Sequence, residues 1–437
     1  MVSREDNERL TRVGLGTPMG TLMRRYWLPA ALSWELPEPD CPPVRVKLLG
    51  EDLVAFRTAD GRIGLIEEFC PHRRASLWLG RNEENGLRCV YHGWKFDVTG
   101  QCVEQMNERR PFCAKIRAVA YPTCEIGGVI WAYMGPPEKE PAPPKFEWTQ
   151  QPQTHRAVSK VVEDCNWLQA LEGGIDTSHF TILHRALKQS AIGIAPDNVG
   201  IKGGAPSLEV DITDYGYRYF GIRPVGDDKL YVRGYHFVMP FTQLRPPGPG
   251  KEEVHGHYWV PMDDTTCMVW NFYESYGAAP VGEREAEASS GNAYGSQVDI
   301  KNGFRPFRNR ANDWMIDRQA QKTETFSGVF GINQQDRAVQ ESMGPIVDRS
   351  RENLGPADRA VVATRRLLLD ALDTVARGDD PPGTGASYHE ARAAELVLPK
   401  SDDWRRALLP LMYPQTDGRT NAAAAQAGKV LEDVARR

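Results

Sequence analysis

Several features are missing from this chain of 437 residues, and each absence closes off a class of function. Positive charge is not in excess: 53 Lys and Arg against 58 Asp and Glu leave a net charge of −5, too few cations to neutralise a phosphate backbone, so no nucleic acid partner is expected. No apolar run approaches the roughly 18 residues of a membrane span. The opening Met1-Val2-Ser3-Arg4-Glu5-Asp6 is charged, with no signal-peptide apolar stretch behind it. A cytoplasmic protein with no membrane association is the expectation. Cysteine is sparse, eight in all, which is no disulfide framework for a chain of this length. A dinucleotide fingerprint is also lacking. Gly14, Gly16 and Gly20 resemble one, but the third glycine falls one residue too late and no strand precedes the first, so a turn is expected there. No internal repeat is present.

Against that background two short clusters stand out, Cys70-Pro71-His72 and Cys89-Val90-Tyr91-His92, separated by sixteen residues. Two thiolates and two imidazoles offered together are the ligand set of a Rieske [2Fe-2S] centre, with Cys70 and Cys89 on one iron and His72 and His92 on the other. Pro71 fixes its own φ and biases Cys70 toward an extended conformation, in which residues two apart project to the same side. Gly93 and Trp94 read as a tight loop that brings backbone amides to the sulfurs while an indole shields the site. A structural zinc site also accepts two Cys and two His, but zinc fingers pair Cys with Cys and His with His. The remaining Cys41, Cys102, Cys113, Cys124, Cys165 and Cys267 are expected to be free thiols.

At about 150 residues per domain, the length calls for two or three domains, so something larger must follow the cluster module. Short β segments are predicted at Val44 to Leu49, Leu53 to Thr58, Ile63 to Ile66, Leu87 to Cys89, Lys95 to Val98 and Val129 to Met134, with an Asp60-Gly61 hairpin turn. A proline-rich stretch from Gly135 to Pro144 reads as a linker. Beyond it come a polar helical segment near Glu163 to Leu171 and aromatic β-like runs at Tyr217 to Ile222, Leu230 to Val238, Gly256 to Val260 and Thr266 to Tyr273. A long helix from Pro356 to Arg377 follows, with Val361, Leu368, Leu372 and Val375 on its apolar face and Gly378 as its stop. The tail after Asn421 reads as an amphipathic terminal helix.

A second constellation lies in Asn166-Trp167-Leu168-Gln169-Ala170-Leu171-Glu172-Gly173-Gly174-Ile175-Asp176-Thr177-Ser178-His179, followed by His184. Histidines five apart are about 140° out of phase on a regular helix, so they can converge only across a break, for which Gly173, Gly174 and Thr181-Ile182 offer the means. With a carboxylate, His179 and His184 would form the 2-His-1-carboxylate set of non-haem Fe(II) oxygenases. Asp336 is the leading candidate for that carboxylate, with Glu341 and Asp348 open. Asn166 is a candidate for orienting this segment at the catalytic site.

In this order the two constellations resemble the α subunits of Rieske non-haem iron oxygenases. Arg25-Tyr26-Trp27-Leu28-Pro29, Cys89 to Asp97 and Asn166 to Asp176 are similar to the phthalate dioxygenase-like branch, over most of the chain. The resemblance implies an α+β architecture. An N-terminal helical segment (1–40) would pack on the catalytic domain, an antiparallel β Rieske domain would occupy 41–150, and a helix-grip (START-like) catalytic domain with a long antiparallel sheet would occupy 151–437. It implies a homotrimer or dimer of trimers, with electrons passing from the cluster of one subunit to the mononuclear Fe(II) of its neighbour across an aspartate that matches Asp176. It also implies that electrons come from NADH through a separate flavin/iron-sulfur reductase, since the chain shows no nicotinamide site. Glu172 departs from an asparagine that more distant members place near the iron.

The expected reaction is O₂-dependent hydroxylation of an aromatic carboxylate, phthalate, isophthalate or phenoxybenzoate-like, by a dioxygenase. O-demethylation of methoxylated lignin-derived acids is the alternative, and a plain electron carrier a more distant one. Aromatic runs at Tyr215 to Phe220 and Tyr235 to Phe237 suit an apolar slot for a ring. Arg223, Arg233 and Arg245 are the candidates for a carboxylate on it, because a guanidinium fork matches that planar anion.

Overall fold

The computed structural model describes residues 2–189, 194–195, 197–248, 250–283, 285 and 297–414; the helix expected after Asn421 lies outside them. The chain divides into two compact units. One comprises residues 12–144 with 260–264, the other residues 1–11, 145–259 and 265 onward.

The smaller unit is antiparallel throughout. Its strands are β1 (Trp27–Leu32), β2 (Val44–Leu48), β3 (Glu51–Arg57), β4 (Ile63–Glu67), β5 (Arg81–Glu83), β6 (Gly86–Arg88), β7 (Trp94–Phe96), β8 (Cys102–Gln105), β9 (Thr123–Ile126) and β10 (Val129–Tyr133). They form three sheets, β1-β10-β9, β2-β3-β4 and β5-β6-β7-β8. The hairpin between β3 and β4 turns as expected, with Gly61 at φ +84° and its N–H donating to Thr58 O at 2.8 Å. Val54, Phe56, Ile66, Leu77, Leu87, Trp94 and Phe96 fill the core beside Cys70 and Cys89.

The N-terminal boundary differs from the sequence expectation. Only the helix α1 (Arg4–Thr11) groups with the larger unit; residues from Arg12 belong to the smaller one. Trp27 to Leu32 are not helical but pair with Tyr133 to Val129, a partnership about a hundred residues apart that local pattern cannot signal. The second boundary falls at Pro144/Lys145, at the end of the proline-rich stretch and ahead of the expected 150/151.

The larger unit is built on one eight-stranded sheet. Its strands are β11 (Arg156–Glu163), β12 (Ser207–Thr213), β13 (Gly216–Val225), β14 (Lys229–Val238), β15 (Thr242–Arg245), β16 (Glu253–Pro261) and β17 (Cys267–Ser275), in the order β11-β17-β16-β15-β14-β13-β12. A short β18 (Val298–Asp299) and β19 (Arg305–Pro306) pair apart, and β20 (Ala394–Pro399) joins β14. Three further helices matter for the site: α2 (Trp167–Ile175), α3 (Ile332–Ser342) and α4 (Arg359–Ala376). Helix α4 buries Val361, Leu368 and Leu372, and Gly378 follows it at φ +88°. It is gripped to the sheet by Tyr217, whose hydroxyl bonds Thr364 Oγ1 at 2.6 Å and Ala360 O at 3.2 Å. This is the α+β, helix-grip arrangement. Glu163 ends strand β11 rather than starting a helix, and α2 begins only at Trp167.

Candidate metal centres

In the smaller unit the loops after β4 and β6 carry the two Cys-His clusters. Cys70 and Cys89 are buried side by side, close enough that ionising one thiol opposes ionising the other. The contact from Cys70 lowers the Cys89 thiol to about 6, assisted by backbone N–H groups of Tyr91 and His92, and Cys70 is pushed up in turn. Amides aimed at sulfur are what a thiolate-ligated cluster uses. The His72 and His92 rings meet edge to face at 4.5 Å between centroids and 70° between planes, and His92 Nδ1 is buried with no hydrogen-bond partner among the described residues. Gly93, at φ +76°, makes the tight turn; Trp94 stacks on His72 at 4.3 Å and 8°, the indole shield expected from sequence. Two sulfurs and two imidazoles on one patch fit a Rieske cluster.

In the larger unit His179, His184 and Asp336 bring one ligand atom each within 4.8 Å of one another. The three donor atoms are His179 Nε2, His184 Nε2 and Asp336 Oδ1, at separations of 3.2, 3.4 and 3.2 Å. Among the described residues no other such group of His, Cys, Asp or Glu is formed. The competing carboxylates are engaged elsewhere. Glu341 accepts from Trp314 Nε1 at 2.6 Å and Asp164 N at 3.0 Å, and Asp348 caps a turn through Ser350 N at 3.1 Å.

The second nitrogen of each imidazole is also held. His179 Nδ1 lies 3.1 Å from Asp176 Oδ2, and His184 Nδ1 lies 2.7 Å from Gln335 Oε1. Gln335 Nε2 donates to Val329 O at 2.8 Å, which fixes the amide orientation and leaves Oε1 to accept from His184 Nδ1–H. Both Nε2 lone pairs are thereby directed at one point, the carboxylate/amide–histidine–metal arrangement of well-formed metal sites. Gln335 was not anticipated from sequence; its position immediately before Asp336 was the only signal.

Electrostatics support a cation there. Burial opposes charge on Asp336, yet the adjacent imidazoles outweigh it and hold the carboxyl well below the usual range. Burial likewise opposes the His179 cation, but Asp176 and Asp336 raise it to about 10. A metal ion would take the place of that proton.

The segment carrying these ligands is braced. Asn166 caps α2, its Oδ1 accepting from Leu168 N at 3.1 Å, while its Nδ2 donates to Thr11 O at 2.9 Å. Its placement is that of a helix cap orienting the segment, and its polar atoms are committed away from the metal ligands. The helix ends at Ile175, where Asp176 Oδ1 accepts from Ser178 N at 2.7 Å, and the break between the histidines is a single 3-10 turn, His179–Thr181, that stops at Ile182. The glycines serve close packing instead. A Cβ on Gly174 would come 2.1 Å from the Trp259 indole, and one on Gly173 2.0 Å from Gln340 Nε2. Glu172 sits between two buried guanidiniums, Arg349 Nη2 at 2.9 Å and Arg365 Nε at 2.7 Å, so it holds α2 in place rather than facing the metal ligands.

The three candidate arginines lie on the same sheet face. Arg223 donates to Gly204 O at 3.0 Å and Thr177 O at 2.5 Å. Arg233 donates to Pro246 O and pairs with Glu395 at 3.1 Å. Arg245, opposite His255 on β16, has a buried Nε with no hydrogen-bond partner among the described residues.

A mixed Cys-His cluster module and a 2-His-1-carboxylate site on a helix-grip domain together define the α subunit of a Rieske non-haem iron oxygenase. Comparison with known proteins agrees: residues 26–120 match the Rieske [2Fe-2S] domain family and residues 132–421 the family described as LigXa C-terminal domain like. The chain is 40% identical to the oxygenase subunit of phthalate 4,5-dioxygenase from Pseudomonas putida, over 93% of this chain and 94% of that one. It is 41% identical to the 3-chlorobenzoate-3,4-dioxygenase oxygenase subunit of Comamonas testosteroni, over 93% and 98%. It is 34% identical to the 5,5'-dehydrodivanillate O-demethylase oxygenase subunit of a Sphingobium species, over 87% and 83%. The chain belongs to the phthalate dioxygenase-like branch of the Rieske non-haem iron oxygenases. It is a Rieske-type aromatic ring-hydroxylating oxygenase subunit that takes a [2Fe-2S] cluster and a mononuclear iron and receives electrons from a separate reductase. Among the described residues no helix is long and apolar enough to cross a membrane.

Proposed function

We propose that this chain is the terminal oxygenase of a system that hydroxylates an aromatic carboxylate of the phthalate, isophthalate or phenoxybenzoate kind, using O₂ and electrons drawn from NADH through a flavin/iron-sulfur reductase. The cluster residues Cys70, His72, Cys89 and His92 would deliver electrons to an iron held by His179, His184 and Asp336, and that iron supplies the O₂ chemistry. The observation that carries the substrate class is Arg245. Each of the three keeps one buried guanidinium nitrogen without a hydrogen bond, but Arg233 has an anionic partner in Glu395 and Arg223 is tied to backbone carbonyls, whereas the Arg245 side chain makes no hydrogen bond or ion pair among the described residues. A substrate carboxylate satisfies such a fork. Two relatives act, by name, on aromatic acids.

The test is a substrate screen with a surrogate reductase that follows O₂ uptake together with product identity. Diol formation from benzoate-type acids, lost in Arg245→Leu, is expected; uptake without product across all such acids would defeat the reading. A second reading, O-demethylation, is favoured by the likeness to a demethylase subunit and would show as formaldehyde release from methoxylated acids. The assembly we propose is a trimer, or a dimer of trimers, in the cytoplasm. In it Asp176 bridges the iron ligand His179 to a cluster histidine of the neighbouring subunit. A monomeric, fully active enzyme in light scattering would refute it.

A further inference from the structure

Around the cluster residues the aromatic rings form one continuous run. Tyr91 packs on His92 at 3.9 Å between centroids, His92 on His72 at 4.5 Å, His72 on Trp94 at 4.3 Å and Trp94 on Phe112 at 5.5 Å. Both ends of the run reach the surface, Tyr91 at 54% and Phe112 at 40% exposure, while Trp94 between them is 3% exposed. Met106, also exposed, lies beside Phe112's end of the run: its N–H donates to Gly93 O at 3.4 Å, and a Cβ on Gly93 would come 2.6 Å from Met106 Cβ. The loop between β8 and β9 therefore leaves two large apolar side chains in solvent beside the cluster loops. Grouped exposure of this kind marks a surface that meets a partner.

The two ends have different surroundings. Tyr91 adjoins a ligand histidine directly, on the edge that the assembly proposed above sets against Asp176 of the neighbouring subunit. Phe112 is separated from His72 by the Trp94 indole. Electrons have to enter the cluster as well as leave it, and an edge covered by a neighbouring subunit cannot serve for both.

Charge distinguishes the Phe112 end. Arg109, Arg110 and Lys115 are exposed, Glu108 is the single carboxylate between Met106 and Lys115, and the three cationic side chains make no hydrogen bond or ion pair among the described residues. Other cations of the same unit are engaged: Arg74 pairs with Glu67 at 2.6 Å, Arg88 with Glu83 at 2.7 Å and Lys95 with Glu84 at 2.9 Å. Unpaired cations around exposed apolar side chains steer and seat an acidic protein surface.

We propose that the loop bearing Met106, Arg109, Arg110, Phe112 and Lys115 is the docking surface for the separate reductase, which meets it with an acidic face and reduces the cluster from the Trp94 side. Each encounter moves one electron: the reductase's iron-sulfur centre is oxidised, the cluster is reduced, and no bond or proton is exchanged. Rings in contact shorten the gap the electron crosses, and a transient redox encounter needs only a small interface. The proposal rests on the reading that a flavin/iron-sulfur reductase supplies the electrons and is independent of the substrate.

The probe is the reductase that serves the related phthalate 4,5-dioxygenase of Pseudomonas putida, used with the full cluster-loaded chain. Calorimetry between the oxidised partners gives the dissociation constant, and stopped-flow bleaching of the cluster by NADH and reductase without air gives the transfer rate, each at low and high salt. Wild-type binding should weaken as salt rises. In the double variant Arg109→Glu with Arg110→Glu, affinity and bleaching rate at low salt should each fall about tenfold or more, and the gap to wild type should narrow in high salt. Phe112→Ala should weaken binding about tenfold while keeping the wild-type salt dependence. Cluster absorbance, reduction by dithionite and mass by light scattering report whether the variants are intact, and either variant decides the matter if the other fails to load its cluster. Equal binding and bleaching in wild type and variants overturn the docking surface while the reductase reading stands. A changed assembly mass with reductase binding unaltered also overturns it, since the loop would then face a second copy of this chain. A wild-type cluster that dithionite reduces but NADH and reductase do not overturns the reductase reading and the docking surface with it.

Discussion

His184 and Gln335 meet at 2.7 Å between Nδ1 and Oε1, and that contact assigns the histidine's proton. Gln335 is itself pinned by Val329 O, so the imidazole cannot flip without breaking two bonds. His179 is oriented differently, by the carboxylate of Asp176. Of the two histidines proposed to hold the iron, one therefore leans on a neutral amide and the other on an anion.

Replacing Gln335 by Leu removes the neutral brace while keeping the side-chain bulk. Iron affinity at the mononuclear site is expected to fall about 10–100-fold, the range measured when such outer partners of a ligating histidine are lost. Gln335→Glu, which retains an acceptor, should recover part of it. Iron retained per chain after dialysis against a chelator reads the effect. Wild-type retention in the Leu variant would mean that the amide plays no part in metal binding.

Asp176→Asn keeps the shape and the acceptor for Ser178 N but removes the charge beside His179 Nδ1. Both metals should remain bound while product formation falls by more than about a factor of ten. Cluster absorbance and iron content check the first half, and product analysis the second. Near-normal turnover would remove Asp176 from the electron route.

Glu172 anchors α2 through two guanidiniums, Arg349 and Arg365, which are 0% and 5% exposed. Glu172→Gln leaves both cations facing a neutral amide, and about 3–5 kcal/mol of stability should be lost, the usual consequence of breaking a buried pair on one side. Burial raises the Glu172 pKa, but the two arginines more than reverse this and hold it below 4.5. A carboxylate with a depressed folded pKa stabilises above its unfolded value and stops doing so as pH falls through the folded one. The gap in urea midpoint between wild type and variant should thus be constant from pH 7 to about 5 and close below about 4. A gap independent of pH would show that the carboxylate's charge is not what stabilises the helix.

What could be read from sequence follows contact range. Cys70, His72, Cys89 and His92 lie on two short loops, and the hairpin between β3 and β4 is marked by its own turn residues. His179 and His184 are close in sequence, whereas Asp336, more than 150 residues downstream, could only be ranked ahead of Glu341 and Asp348. The supports were hidden because they are distant: Glu172 meets Arg349 and Arg365 across 177 and 193 residues. Gly173 and Gly174 looked like helix breakers, yet they are helical, and it is the bulk of Gln340 and Trp259 that requires them. Strand β1 was missed for the same reason, since its pattern has meaning only beside β10.

The two donor sets belong to different compact units, so each centre should be removable without the other. Wild-type protein purified without air should carry about three irons and two acid-labile sulfides per chain. Cys89→Ser takes away a thiolate that no other described residue replaces and should leave about one iron, no labile sulfide and no red-brown colour. His184→Ala should do the reverse, leaving about two irons and the full cluster spectrum but no O₂-dependent product. An electron carrier would show about two irons from the outset, unchanged by His184→Ala. A third iron that persists in His184→Ala would place the mononuclear metal somewhere other than between His179, His184 and Asp336.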